Sequence, residues 1–195
     1  SRMTIRSDGK VGVATEDPSN ILQVDHTGAD GDDGIMIVRA DASTADGDLL
    51  GGIGFDSTDG NVPSRITEAS AFIAAYAAEA HDDGDKGGDL VFGTTTINHD
   101  ADTASHEWMR ILDSGKVGIG TSAPEGLVTI QNTSISALDG VDVPDNYHLH
   151  IKGAIDNGSA GIAFGSSDNN VGSAIIYKDL GSFAQGELQF YTCLL

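Results

Sequence analysis

The sequence predicts an all-β, elongated chain built from repeats, and three observations lead to that expectation. The 195 residues include 26 Gly and 30 acidic residues, most of them Asp, and both Gly and Asp favour turns over helices. In short segments between these turns, apolar residues alternate with polar ones, as they do in half-buried strands. Blocks of sequence also recur in the same order, 98 to 109 positions apart, which is typical of modules that stack into arrays.

Composition excludes several classes of protein. Only 10 basic residues oppose the 30 acidic ones, so the net charge of −20 leaves no basic patch for nucleic acid. The longest apolar run, residues 71–78, is far shorter than the roughly 20 residues of a membrane span, so no membrane insertion is expected. Cys193 is the one cysteine, which excludes an internal disulfide. A hydrophobic content of 39% predicts a thin core, which association would thicken.

The first repeated block predicts a tight hairpin. Residues 3–15 recur as residues 109–121, and in the second copy Met109 and Ile111 alternate with polar residues before a turn at 113–116. Val117 and Ile119 alternate after the turn, which places Gly118 on the opposite face, where another backbone could come close.

Two further blocks recur in the same order. Residues 52–57 match 161–166, and residues 88–94 match 186–192. The sequence therefore predicts a first fibre repeat at 1–108 and an incomplete second repeat at 109–195, both part of a longer fibre.

Two further segments, residues 67–88 and 147–151, are predicted to contain strands. Propensity alone makes the alanine-rich residues 67–80 a helix, but their counterpart at 172–177 has a β-type sequence. We therefore expect a strand over 71–79 and a hairpin tip at 81–88. Tyr147, Leu149 and Ile151 alternate with polar residues and predict another half-buried strand.

The block from Met109 to Pro124 resembles the M-R-I-x-x-x-G-x-V-G-I-G-T-x-x-P motif of tailed-phage tail fibres and related virion fibre proteins. The resemblance implies an extracellular, intertwined homotrimer in the virion, in contact with other fibre or tail proteins and with a host surface glycan or protein. In that family such repeats often precede a self-cleaving chaperone domain. No segment of this chain resembles that domain, so its serine protease chemistry is not carried over.

The repeats and the hairpin tip supply two sets of candidate residues. The apolar positions of the repeated blocks are candidates for a core shared by three chains: Phe55, Leu90, Phe92, Ile111, Val117, Ile119 and Phe164. The tip is polar, rich in glycine and longer than its counterpart in the second repeat, and tips are where a rigid scaffold presents binding residues. Its candidates for receptor binding are His81, Asp82, Asp83, Asp85 and Lys86.

The sequence does not predict a metal or cofactor site, although three patterns resemble one. His148 and His150 of three chains could surround an axis with six imidazoles, but the alternation places them opposite the apolar residues that have the better claim to a core. Asp82, Asp83 and Asp85 could hold a hard cation, although their spacing is not that of an EF-hand loop. Residues 118–123 fit the G-x-G-x-x-A pattern of dinucleotide sites, yet Pro124 follows instead of a helix.

The sequence also favours a non-enzymatic role. A glycan-cleaving fibre enzyme needs two carboxylates about 5–10 Å apart across a cleft, and the acids here lie mostly in glycine-rich turns. The function expected is a structural and adhesive segment of a trimeric virion tail fibre that contributes to host attachment. A cellular surface adhesin or appendage built from similar repeats is the alternative, with the glycan-cleaving enzyme behind it.

Overall fold

The computed structural model describes residues 3–26, 34–58, 62–97, 105–132, 148–149, 151, 159–164, 173–179 and 186–192. These residues form twelve strands and a single 3-10 turn, and none of them lies in an α-helix. The all-β prediction is therefore confirmed. Within this part of the chain, no helix has the length and apolar character needed to cross a membrane. The chain divides into two compact units, residues 1–129 and 130–195.

The first sheet has three short strands: β1 (Met3–Ile5), β2 (Val11–Val13) and β3 (Leu22–Val24). β1 and β2 form an antiparallel hairpin, and β3 pairs with β2 in parallel, so the order is β1-β2-β3. The hairpin turn is closed where the amide of Arg6 donates to the carbonyl of Lys10 over 2.9 Å.

A six-stranded sheet follows. Its strands are β4 (Leu49–Phe55), β5 (Ala71–Ala77), β6 (Gly88–Thr94), β7 (His106–Ile111), β8 (Val117–Ile119) and β9 (Val128–Ile130), in sequence order across the sheet. β4 to β8 are antiparallel neighbours. β5 confirms the strand predicted from the second repeat, because pairing with β4 and β6 overrides the helical propensity of its alanines.

The hairpin predicted at the repeated motif is also present. β7 and β8 pair with Met109 opposite Ile119 and Ile111 opposite Val117. The amide of Leu112 donates to the carbonyl of Lys116 over 2.9 Å, as Arg6 does to Lys10 in the first sheet 106 positions earlier. The boundary at 108/109 falls inside β7, and the division into two repeats stays a prediction.

One face of the six-stranded sheet carries the buried core. Phe72, Ala74 and Val91 are buried on it, and Leu49, Ile66 and Tyr76 pack against them. Ile66 lies in the 3-10 turn Ile66–Glu68, which crosses this face. The sheet is thus covered on one side by the chain's own residues.

The second unit contains a three-stranded antiparallel sheet of β10 (Ser159–Phe164), β11 (Ser173–Asp179) and β12 (Gly186–Thr192). Ile162, Ile175 and Phe190 lie opposite one another across it. Ala174 is buried on the other face.

The strand predicted through Tyr147, Leu149 and Ile151 is wrong where it can be checked. His148, Leu149 and Ile151 lie outside strands, and both apolar side chains are exposed. A strand needs a backbone partner, and no described strand pairs with these residues. Tyr147 and His150 lie outside the described residues.

Candidate functional site

A continuous row of apolar side chains crosses the side of the six-stranded sheet that lies away from the core cluster. Ile35 and Ile37 line a groove with Ile53 at one end of this side, which is otherwise uncovered among the described residues. Ile53, Ile73, Phe92, Met109 and Ile119 lie directly opposite one another on five successive strands. Residues that are opposite in antiparallel strands point to the same face, so the row forms a single stripe. Ile53 is 53% exposed and Ile119 is 40% exposed.

A second row runs beside the first. Leu90, Ile111 and Val117 are opposite one another on β6, β7 and β8, two positions along each strand from the first row. Because side chains alternate with a period of two, both rows share one face. We call this surface the apolar face, formed by Ile53, Phe55, Ile73, Leu90, Phe92, Met109, Ile111, Val117 and Ile119.

The polar and apolar side chains of β7 are distributed in the opposite way to those of a sheet with one solvated face. Met109 and Ile111 point to the uncovered side, whereas Arg110, which lies between them, points to the side of the buried core opposite Val91. An antiparallel sheet with one wet face normally turns its apolar residues inward and its charges outward. An apolar face of this kind is suited to burial against another surface.

A bulge adds an aromatic side chain to the end of the apolar face. Phe92 is opposite Met109 and Gly93 is opposite Glu107, so Trp108 is the extra residue of β7. Trp108 is exposed and lines a groove of about 240 Å³ together with Phe55 and Phe92. Trp108 was not among the residues predicted from the sequence. It lies just before the repeated motif, which begins at Met109, so comparison of the repeats did not point to it.

The sheet of the second unit presents the same type of surface. Ile162, Ile175 and Phe190 form a row across β10, β11 and β12 in which Ile162 and Phe190 are exposed. Phe164 is exposed two residues after Ile162. Ile162, Ile175 and Phe190 correspond in position on their strands to Ile53, Ile73 and Phe92 of the first unit.

The structure brings the predicted core candidates of the first unit together. Six candidates lie on the apolar face: Phe55, Leu90, Phe92, Ile111, Val117 and Ile119. Phe164 lies in the second unit. Ile53, Ile73 and Met109 belong to the same face and were missed. The alternation around Phe55 and Ile111 could have shown Ile53 and Met109 but not Ile73, because β5 is apolar on both faces. That three chains share this surface stays a prediction.

An ion-pair network lies on the covered side of the sheet. Arg110 binds both oxygens of Glu107, at 2.8 and 2.6 Å, and donates to Asp89 Oδ2 over 2.8 Å. The other oxygen of Asp89 accepts the backbone amide of Asp113 over 2.9 Å. Asp89 is 8% exposed, and these hydrogen bonds offset the cost of burying its carboxylate.

The network also affects titration. The hydrogen bonds to Glu107 and then Asp89 hold the pKa of the Arg110 guanidinium above its ordinary value, against the opposing effect of burial. Arg110 lies 5.7 Å from the centre of the Tyr76 ring, and burial raises the pKa of the Tyr76 phenol. Arg110 therefore stays charged and Tyr76 stays neutral at neutral pH.

The glycines of the repeated motif also serve the fold. A Cβ on Gly118 would lie 2.2 Å from the carbonyl oxygen of Thr121, so only glycine fits where the chain folds back after β8. Gly120 has a φ of 72°, which glycine adopts without strain. No described helix follows them, so the G-x-G-x-x-A pattern of Gly118 to Ala123 has no helix N-terminus for a dinucleotide.

The predicted receptor-binding tip is an ordered turn. The carboxylate of Asp82 accepts the amides of Gly84 and Asp85, over 2.8 and 3.2 Å. His81 is half-buried, and Nε2 of its ring lies 3.0 Å from the carbonyl oxygen of Gly87. The backbone amide of His81 donates to the carbonyl oxygen of Thr44. His81 and Asp82 therefore build the turn.

The remaining candidates of the tip point to solvent. Asp83, Asp85 and Lys86 are exposed, and no hydrogen bond or ion pair of their side chains occurs within the described residues. The carboxylates do not gather around one point: among the described residues, no three His, Cys, Asp or Glu side chains lie close enough to hold a metal ion. His148 is exposed outside any strand, and His150 lies outside the described residues.

Comparison with known proteins adds a likeness to solved structures. No protein-family model matches the chain, and no curated protein matches it. Among solved structures, the chain is similar to the carboxy-terminal domain of the L-shaped tail fibre of bacteriophage T5. The two are 14% identical, the match covers 85% of this chain and 79% of that one, and the TM-score is 0.42.

Proposed function

We propose that the chain is a non-enzymatic structural segment of a trimeric virion tail fibre and that it contributes to attachment to the host cell. The observation that carries the proposal is the apolar face, which spans five strands and whose side chains are exposed or half-buried in a chain of net charge −20. Monomeric proteins rarely leave so continuous an apolar surface in water.

Three copies of the chain would complete a core that one copy lacks. The core cluster of the six-stranded sheet contains only Phe72, Ala74 and Val91. The nine side chains of the apolar face lie on the other side, where burial would contribute about 25 cal/mol for each Å² removed from water. When three such sheets face a common axis, each apolar face is covered by the other two and the polar loops remain outside.

The residues of the repeated motif support a structural role. Met109 and Ile111 lie on the apolar face, Arg110 holds Asp89 on the covered side, and Gly118 allows the chain to fold back. Each of these residues is thus accounted for by the fold of the sheet. The resemblance of the motif to virion fibre repeats supports the proposal that this sheet belongs to a fibre.

The hairpin tip supplies an attachment surface. Asp83, Asp85 and Lys86 project from a turn that His81 and Asp82 hold in place. A trimer presents the tip three times, so weak contacts with a repeated host glycan or protein gain from multivalency.

The mass of the protein in solution tests the trimer. Sedimentation equilibrium should give three times 20.1 kDa, and a monomer would overturn the proposal. Attachment is tested separately with Asp83, Asp85 and Lys86 all replaced by Ser, which leaves the bonds of His81 and Asp82 intact.

That triple variant should remain trimeric and attach less to host cells than the parent. Its control replaces the exposed Asp46, which lies outside the tip, by Ser. Equal attachment of the parent and the triple variant would remove the tip from the proposal. Release of new reducing ends from host glycans by the parent protein would overturn the non-enzymatic role.

A further inference from the structure

Three rows of residues cross strands β4, β5 and β6 on the apolar side of the six-stranded sheet. The central row is Ile53, Ile73 and Phe92. An outer row lies on each side of it, two residues away along each strand. We call one of them the Leu90 row, formed by Gly51, Ala75 and Leu90. We call the other the Phe55 row, formed by Phe55, Ala71 and Thr94.

Large and small side chains are divided between these two outer rows. β4 has Gly51 in the Leu90 row and Phe55 in the other. β6 has the reverse, with Leu90 in one row and the smaller Thr94 in the other. β5 has alanine in both rows. On none of these three strands are both outer positions large, so the two rows would match in size if they met.

The sheet of the second unit, taken by itself, shows the same division. One outer row is Ala160, Tyr177 and Leu188. The other is Phe164, Ser173 and Thr192. Alanine is thus combined with phenylalanine on β10, tyrosine with serine on β11, and leucine with threonine on β12. The two outer rows of one sheet are separated by its central row, so they can meet only between copies of the chain.

The Leu90 row contains a groove of about 240 Å³, lined by Gly51, Ala75 and Ile37 among others. A Cβ on Gly51 would lie 2.5 Å from Cγ2 of Ile37, so the groove depends on a residue without a side chain. A cavity of roughly 150 Å³ holds a benzene molecule, so the groove is wide enough for a phenyl ring.

Phe55 carries a ring of that size and leaves it 54% exposed. It cannot fill the groove of its own chain. Phe55 is four residues after Gly51 on β4, a distance of about 13 Å along the strand.

We propose that Phe55 of each copy fills the groove at Gly51 of the next copy, so that the Phe55 row of one sheet packs on the Leu90 row of its neighbour. The inference rests on the trimer of the proposed function. A three-fold rotation causes no shift along the axis, so β4 of one copy meets β4 of the next. The contact is heterologous and closes into a ring of three.

This contact fixes how the strands lie in the assembly. The two outer rows are at opposite ends of each strand, so the strands run across the three-fold axis and the central rows point towards it. Leu90 then faces Thr94 of the next copy, and the small Ala75 leaves space for the ring that enters beside it. Large side chains meet small ones along the border, as close packing requires.

Disulfide cross-linking tests the contact. One variant carries Cys193→Ser, Ile37→Cys and Phe55→Cys, with oxidised glutathione as the oxidant. The two sulfurs of one chain cannot join, because a disulfide spans at most about 7 Å between Cα atoms. The matched controls carry Cys193→Ser and only one of the two added cysteines.

The double variant should form covalent trimers about tenfold faster than the controls form covalent dimers, because the contact raises the effective concentration of the facing pair. Mass spectrometry of the linked peptides should show residue 37 joined to residue 55. A protein that sediments as a trimer without this link would overturn the contact and leave the proposed function in place. A monomer would overturn both.

A double-mutant cycle tests the same contact without cysteines. Ala75→Tyr fills the groove from within the chain, as Tyr177 does at the corresponding position of the second unit. It should raise the midpoint concentration of the trimer about tenfold, because it excludes the ring of Phe55. Phe55→Ala should also raise the midpoint, but adding Ala75→Tyr to it should raise it no further. Additive effects of the two changes would overturn the contact.

Discussion

Replacing Ile119 by Asp tests whether the apolar face is the surface that copies share. Ile119 is 40% exposed in the chain, and full burial of an isoleucine side chain contributes about 1.5–3 kcal/mol. Covering the exposed part in the assembly is therefore worth about 1 kcal/mol, which the aspartate loses. An unpartnered carboxylate at the same place costs about 3 kcal/mol more.

The effect is multiplied by the number of copies. At about 4 kcal/mol for each copy, a trimer loses about 12 kcal/mol, or about eight to nine powers of ten in the association constant. The midpoint concentration of a trimer varies with the inverse square root of that constant, so it should rise by about four powers of ten. Sedimentation equilibrium over a dilution series measures this shift, and far-UV circular dichroism checks that the strands remain.

The control makes the same chemical change elsewhere. Ile97 is 90% exposed and lies outside the strands, so Ile97→Asp adds the same charge without touching the apolar face. It should leave the midpoint concentration unchanged. If Ile119→Asp associates as tightly as Ile97→Asp, the apolar face is not the shared surface and the reasoning fails.

Three further changes test the fold. Ala14 has a φ of 60°, so Ala14→Gly should raise the free energy of unfolding in urea by about 0.5–1 kcal/mol. Arg110→Met leaves the carboxylate of Asp89 without its cation and should lower that free energy by about 3 kcal/mol. The hydrogen bond from Arg39 lowers the pKa of Asp41 to about 2, so the carboxylate stabilises the fold at neutral pH, and this contribution is lost as the pH falls from about 4 to 2. The parent should therefore be more stable than Asp41→Asn at pH 7, and the difference should disappear near pH 2.

Each of these three predictions has an outcome that contradicts it. A less stable Ala14→Gly would mean that the left-handed backbone costs less than the added freedom of the unfolded chain. Arg65→Met removes a far more exposed ion pair, and an equal loss for it and Arg110→Met would show that burial of the network does not matter. A difference between parent and Asp41→Asn that does not change with pH would assign it to packing instead of charge.

Local pattern and internal comparison predicted the elements whose cause is local. The hairpin from Met109 to Ile119 follows from alternation on either side of a turn. β5 follows from the comparison with residues 172–177, which outweighed the helical propensity of its alanines. Six residues of the apolar face could be predicted because they are the large apolar positions of repeated blocks.

Features that depend on distant parts of the chain could not be predicted. β5 is apolar on both faces, so alternation alone does not show that Ile66 covers Phe72 and leaves Ile73 exposed. The bulge at Trp108 depends on the register between β6 and β7. The predicted strand around Leu149 failed for the same reason, because a strand requires a neighbour that its own sequence does not reveal.

The ion pair between Arg110 and Asp89 also bears on how the strands find their alignment during folding. On the apolar face, Leu90 and Phe92 face Ile111 and Met109, so sliding β7 by two residues would still bring apolar side chains together. Hydrophobic contact therefore discriminates poorly between the native alignment and a two-residue slip. Only the native alignment places the guanidinium 2.8 Å from the nearly buried carboxylate, so a slipped sheet would bury an unpaired charge. The polar pair thus selects one alignment among several that the apolar residues would accept.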